Sequence, residues 1–236
     1  MKSVLALLQF CTSLPLGRPV EFEHFARRSY LSPLAGYVIG GIAAGIVYWI
    51  ASPTVAATVA LAAVLILSGC NHFDGLLDFG DGLMAHGSRE KRVAAMTDRT
   101  TGAGAVAAGI IVTLLAYSGL QSVANLPAAI LVAEVCAKVA MSYLTTLGVP
   151  FREGIHSYLH GSAKPWFLIP ATVLALPLFL LPLPRLGIAL ALAGTGIIAA
   201  LMLALSRRLF GGVNGDVVGA TNEIVRAGTI LLLALM

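Results

Sequence analysis

Apolar residues run nearly unbroken through seven stretches of the chain: approximately Leu31 to Ala51, Thr54 to Cys70, Gly102 to Leu120, Leu126 to Leu147, Trp166 to Leu183, Leu186 to Leu205 and Ile224 to Met236. A helix needs about 20 such residues to cross a bilayer, so the pattern predicts an all-α polytopic membrane protein with about seven transmembrane helices. The last stretch is short and must recruit Thr221 to Glu223 or lie shallowly against its neighbours. Ser3 to Leu16 is apolar as well, but short and broken at Pro15, which predicts an interfacial or half-inserted helix. The opening segment has one cation, Lys2, and no small-residue cleavage site before Pro15, so it is expected to stay on the protein.

Composition sharpens this picture. With 58% hydrophobic and 11% charged residues and a mean hydropathy of +0.90, the chain is far from the roughly 25% charge of a soluble domain. Its 236 residues suit one membrane-embedded domain over 1–236. The net charge of +4 is too diluted in apolar sequence to indicate a nucleic-acid partner. Its placement is informative instead. Arg18, Arg27 and Arg28 precede the first stretch; Arg89, Lys91, Arg92 and Arg99 separate the second and third; Arg152 and Lys164 follow the fourth; Arg207, Arg208 and Arg226 surround the link to the seventh. By the positive-inside rule these ends face the cytoplasm, the amino end included. Cys11, Cys70 and Cys136 lie in or beside apolar runs without CxxC spacing, so they are read as packing residues.

The acids carry the chemistry. The five aspartates are Asp74, Asp78, Asp81, Asp98 and Asp216, all in expected cytoplasmic links or at their borders. The segment NHFDGLLDFGDG can continue the second helix straight on, and at 100° per residue Asp74, Asp78 and Asp81 then share one face, within about 60° of one another. No Lys or Arg occurs between Arg28 and Arg89 to neutralise that face, and like charges so spaced repel. Oxygen ligands on one face suit a hard divalent ion, Mg²⁺ above all or Mn²⁺. Gly75, Gly80 and Gly82 leave room for a close helix or ligand, and His72 and His86 flank the cluster. A second segment, GGVNGDVVGATNE from Gly211 to Glu223, brackets Asp216 with glycines on the same expected side and can offer backbone N–H groups to phosphate. Glu134 and Lys138, four apart inside the fourth stretch, are expected to pair. Arg152 and Lys164 suit either phosphate contacts or membrane anchoring.

The pattern H-x-D-G-L-x-D-x-x-D-G over His72 to Gly82 resembles the signature of the adenosylcobalamin 5′-phosphate synthase (cobalamin synthase) family. Asp98, Arg99, Gly102 and Gly104 resemble that family's D-x-R-x-G-x-x-G segment in altered spacing. Gly212, Gly215, Asp216, Gly219, Ala220, Asn222 and Glu223 resemble its G-x-x-G-D-x-x-G-A-x-N-E segment. The opening FCTSLPLG is similar to its F-x-T-R-L-P start, with Ser13 in place of Arg. That family is distantly similar to the CDP-alcohol phosphotransferases; Asp78, Asp81, Gly82 and Ala85 fit the first half of their motif and the second half fits poorly.

The resemblance implies attack by a ribose hydroxyl of α-ribazole or its 5′-phosphate on adenosylcobinamide-GDP, releasing GMP. It implies Asp74, Asp78, Asp81 and Asp98 as catalytic, metal-holding residues and Asp216, Asn222, Glu223 and Arg99 as substrate-binding residues, at the cytoplasmic face of the inner membrane; Arg152, read above as suited to phosphate, is expected to join the substrate-binding residues. The expected partners are these two substrates and the lipid bilayer; self-association is left open, as is which carboxylate takes the hydroxyl proton. The alternatives are a CDP-alcohol phosphatidyltransferase of phospholipid synthesis and a transporter. A transporter would place its carboxylates deep in spans, where only Glu134 is expected.

Overall fold

The computed structural model describes residues 1–236. Twelve α-helices follow in order: α1 (Lys2–Cys11), α2 (Glu23–Ala26), α3 (Ser32–Val47), α4 (Pro53–Leu67), α5 (Asn71–Met84), α6 (Arg89–Met96), α7 (Ala103–Ser122), α8 (Leu126–Leu147), α9 (Ile155–Ser162), α10 (Leu168–Val173), α11 (Arg185–Leu209) and α12 (Gly215–Ala234). There is no sheet, only an isolated parallel bridge between Pro150 and Val213. Five helices, those ending at Val47, Ser122, Leu147, Leu209 and Ala234, are long and apolar enough to cross a membrane, and two sharply bent pairs raise the number to seven if each pair is one span. α1 stands apart as a short apolar helix, as its length predicts.

α8 is the axis of the bundle. Of its most apolar window 89% is buried, against 33% in α7 and α11, so the latter form the outer wall. Their outward side chains, among them Ile110, Ile111, Leu114, Ile197 and Leu201, are exposed large hydrophobics, as a lipid-facing surface requires. Exposed Tyr48, Trp49 and Trp166 have the amphipathic rings that favour membrane–water interfaces. α3 lies tightly on α8 because Gly36 and Gly40 have no side chain there: a Cβ at Gly36 would come within 2.7 Å of the Glu134 carbonyl oxygen. Small residues four apart let helix backbones approach in this way.

Three elements depart from the sequence expectation. α5 does not continue α4: the two meet at 94°. α4 closes in a Schellman motif, the Cys70 N–H donating to the Leu65 carbonyl (2.9 Å) and the Gly69 N–H to that of Ile66 (3.0 Å). Gly69 and Cys70 both take left-handed φ, +62° and +58°, which turns the chain. Cys70 is thus an exposed turn residue, whereas Cys11 and Cys136 are buried. The stretch from Trp166 to Leu183 is not one helix but α10 between two 3₁₀ turns, because Pro165, Pro170, Pro177 and Pro182 remove donors and clash with preceding turns. The final helix begins at Gly215 rather than Ile224, so Asp216 to Glu223 are helical rather than part of a link. Arg226, expected near a cytoplasmic end, is buried in that helix.

Candidate active site

The first turns of α5 and α12 touch backbone to backbone. A Cβ on Gly75 would come within 3.0 Å of the Asp216 carbonyl oxygen, and one on Gly219 within 3.0 Å of that of His72. Gly80 meets Gly104 of α7 just as closely, at 2.6 Å from its carbonyl oxygen, and Gly82 faces Met96 of α6. The glycines read as close-approach positions have that role, since any side chain would force the helices apart. The acidic face of α5 is thereby pressed against the N-terminus of α12.

Asp216 sits in the first turn of α12. Asn214 caps that helix by accepting the Val217 N–H (3.1 Å), and its amide donates to Asp216 Oδ2 at 2.6 Å. The link after α8 is laced to the segment before α12, with the Val213 N–H donating to the Val149 carbonyl at 2.9 Å. This brings Arg152 Nη2 to 3.5 Å from Asp216 Oδ2. Asp78 lies within Coulombic reach of Asp216, Asp74 and Asp81, with Arg152 the one opposing cation, and no protein donor bonds its carboxylate. Asp74 is exposed beside it. The structure therefore brings together Asp74, Asp78, Asp216 and Arg152 from three segments.

Asp81 belongs to the same face but is already engaged. Its Oδ2 accepts the Gly102 N–H (2.7 Å) and its Oδ1 the Ala105 N–H (2.8 Å), so it caps the N-terminus of α7, which has no capping side chain of its own. A Cβ at Gly102 would strike Asp81 Oδ1 at 2.5 Å. Asp98 is turned into its own loop: the Thr100 backbone N–H and hydroxyl both donate to it at 2.9 Å and hold its carboxyl below the usual range. Arg99 beside it is exposed.

Asn222 and Glu223 face away from this cluster, into a buried network between α8 and α12. Lys138 Nζ donates to Asn222 Oδ1 at 2.7 Å, and Arg226 joins Glu223 to Glu134. Lys138 Nζ is also 3.8 Å from Glu134 Oε2, so the expected Glu134–Lys138 pair exists within a larger set. Two acids and two bases balance there, which is how ionised groups persist away from water. Asn214 and the buried His156, which the sequence did not single out for the site, lie beside Asp216 or the cavity next to it. The helix-capping pattern N-G-D was the available signal for Asn214.

No three carboxylate, histidine or cysteine side chains converge as a ready cage for a metal ion. The donor set, two carboxylates on one helix face and a third across the crossing, fits an ion that retains water and takes further ligands from a substrate's phosphates, as Mg²⁺ does.

These features define a polytopic α-helical membrane protein with an acidic site where a bent helix meets the start of the last span. The chain belongs to the cobalamin-5-phosphate synthase family, whose model matches residues 3–234. It is 37% identical to the adenosylcobinamide-GDP ribazoletransferase of Halorubrum lacusprofundi, over 94% of this chain and 93% of that one. The enzyme of the same name from Methanocella arvoryzae is 34% identical, over 98% and 94%. That from Deinococcus radiodurans is 37% identical, over 92% and 80%. No solved structure matches the chain.

Proposed function

We propose that this chain is an adenosylcobinamide-GDP ribazoletransferase, joining adenosylcobinamide-GDP to α-ribazole or α-ribazole 5′-phosphate with release of GMP. Family membership along nearly the whole chain supports the reaction over the phospholipid-synthesising alternative. The observation that carries the site is the packing of Asp74 and Asp78 against Asp216 and Arg152 across the Gly75–Gly219 crossing. A ribose hydroxyl oxygen bonds to the cobinamide-bearing phosphorus, the bond from that phosphorus to the GMP oxygen breaks, and a carboxylate accepts the hydroxyl proton. Arg152 is placed to meet a phosphate oxygen, which requires it to leave its long contact with Asp216. Asp81 holds α5 and α7 in register.

Asp74 and Asp78, with Asp216, are the residues that would hold Mg²⁺, which would neutralise the diphosphate and the departing GMP. Asp98, Arg99, Asn222 and Glu223 act from outside this constellation, in loop and network. The same reading places the site at the cytoplasmic face of the cell membrane, where the cationic links gather. The test is GMP release from adenosylcobinamide-GDP by the full chain in lipid nanodiscs. Release should require α-ribazole or its 5′-phosphate, stop in EDTA and return with Mg²⁺. CMP release from a CDP-alcohol instead would overturn the reading, and full activity in chelator would remove the metal from it.

A further inference from the structure

Beside the acidic cluster a cavity of about 380 Å³ opens between the end of α1, α2, α8, α9 and the α5–α12 crossing. Phe10, Phe25, Met141 and Leu159 give it an apolar wall, and Asp216 stands at its border as the one acid; no Lys or Arg lines it. Two buried histidines also face it. His72 is 6% and His156 3% exposed, and the Nδ1 atom of each is buried without a hydrogen-bond partner. His156 Nε2 lies 2.8 Å from the Gly148 carbonyl oxygen, so that nitrogen donates and Nδ1 is left as an acceptor. Buried polar atoms are nearly always paired, and two histidines of one cavity that each carry an orphan nitrogen point to partners that arrive with a ligand.

We propose that this cavity is the binding pocket for the nucleoside part of the acceptor, the ribosylated azole, an inference that rests on the transferase reading above. The ligand must bring hydrogen-bond donors for two histidine nitrogens, an apolar flat ring for the Phe10–Phe25–Leu159 wall, and no demand for a cation inside the pocket. A nucleoside of an aromatic azole has all three: its ribose hydroxyls donate to the histidines while its ring lies on the apolar side. The donor's guanosine also carries ribose hydroxyls and a flat ring, but it is joined to a diphosphate, for which the cavity has no Lys or Arg; that diphosphate belongs on the other side of Asp216, with Asp74, Asp78 and Arg152. Asp216 borders both compartments, so a ribose hydroxyl held in the cavity faces the phosphorus it attacks.

His72→Phe keeps the ring shape and, because His72 Nδ1 has no hydrogen-bond partner in the protein, removes a nitrogen that is free for a ligand without breaking a bond of that atom to the protein. Leu159→Trp fills the cavity and serves as the second variant if the first does not fold. In the full chain in nanodiscs, either variant should raise KM for α-ribazole at least tenfold while leaving KM for adenosylcobinamide-GDP within twofold. Equilibrium binding of α-ribazole to donor-free protein should weaken by the same factor. A change confined to the donor's KM, or unchanged acceptor binding in both folded variants, would overturn the proposal. Were the wild type to bind α-ribazole through this cavity yet release no GMP, the pocket would stand and the reaction reading would fall.

Discussion

Four aspartates close in sequence have three different roles, and the difference is readable in their partners. Asp81 spends both oxygens on the N-terminus of α7, so Asp81→Ala should lower stability by about 1–2 kcal/mol, the usual cost of a lost cap, seen as a lower melting temperature. Asp78 has no protein donor and three acidic neighbours. Asp78→Asn should leave the melting temperature unchanged or raised, because it relieves repulsion, while reducing GMP release at least a hundredfold. Asp98, held by Thr100, should tolerate Asn with a smaller loss than either. At the same scale, Glu134 is fully buried and receives Arg226; Glu134→Ala leaves two buried cations short of a counter-charge and should cost about 3–5 kcal/mol, read as loss of folded protein on detergent-solubilised thermal melts.

At the scale of elements, the site is a helix crossing made possible by missing side chains. Gly75→Ala would place a methyl group about 3 Å from the Asp216 backbone, which cannot move as a side-chain tip could. Overpacking of this kind costs about 1–3 kcal/mol, and here it also separates Asp78 from Asp216. Gly75→Ala should therefore depress both stability and turnover, whereas Gly41→Ala and Gly196→Ala, with nothing within 4 Å of the added methyl group, should change neither by more than twofold in turnover. The bend between α4 and α5 matters to the same end. Two consecutive left-handed residues, Gly69 and Cys70, redirect α5 across the start of α12; a straight extension of α4 would leave the acids pointing away from Asp216.

For the whole molecule, charge and apolar surface define how the bundle sits. The links with Arg89, Lys91, Arg92 and Arg99, and with Arg152 and Lys164, belong on one side, and the sparsely charged links near Ser52 and Asn125 on the other. Single cysteines at Lys91 and Lys164 in a Cys11, Cys70 and Cys136-free background should resist an impermeant thiol reagent in intact cells, and one at Asn125 should react. Labelling at Lys91 from outside would reverse the orientation and with it the side on which the substrates meet the acids.

The sequence by itself determined the all-helical membrane class, the periodicity that gathers Asp74 and Asp78, and the close-approach role of Gly75, because hydropathy, helical spacing and the absence of a side chain are local properties. Only the tertiary structure decided which polar residues join that face. Asn222 and Glu223 look like part of a polar link, since a hydropathy window penalises every charge. Yet Lys138, Glu134 and Arg226 pair with them inside the bundle, and pairing across helices from α8 to α12 is invisible to any local pattern. For the same reason Asp81 could not be separated from its neighbours before its bonds to α7 were seen, and two histidines 84 positions apart become the wall of one cavity only when α5, α9 and α12 pack.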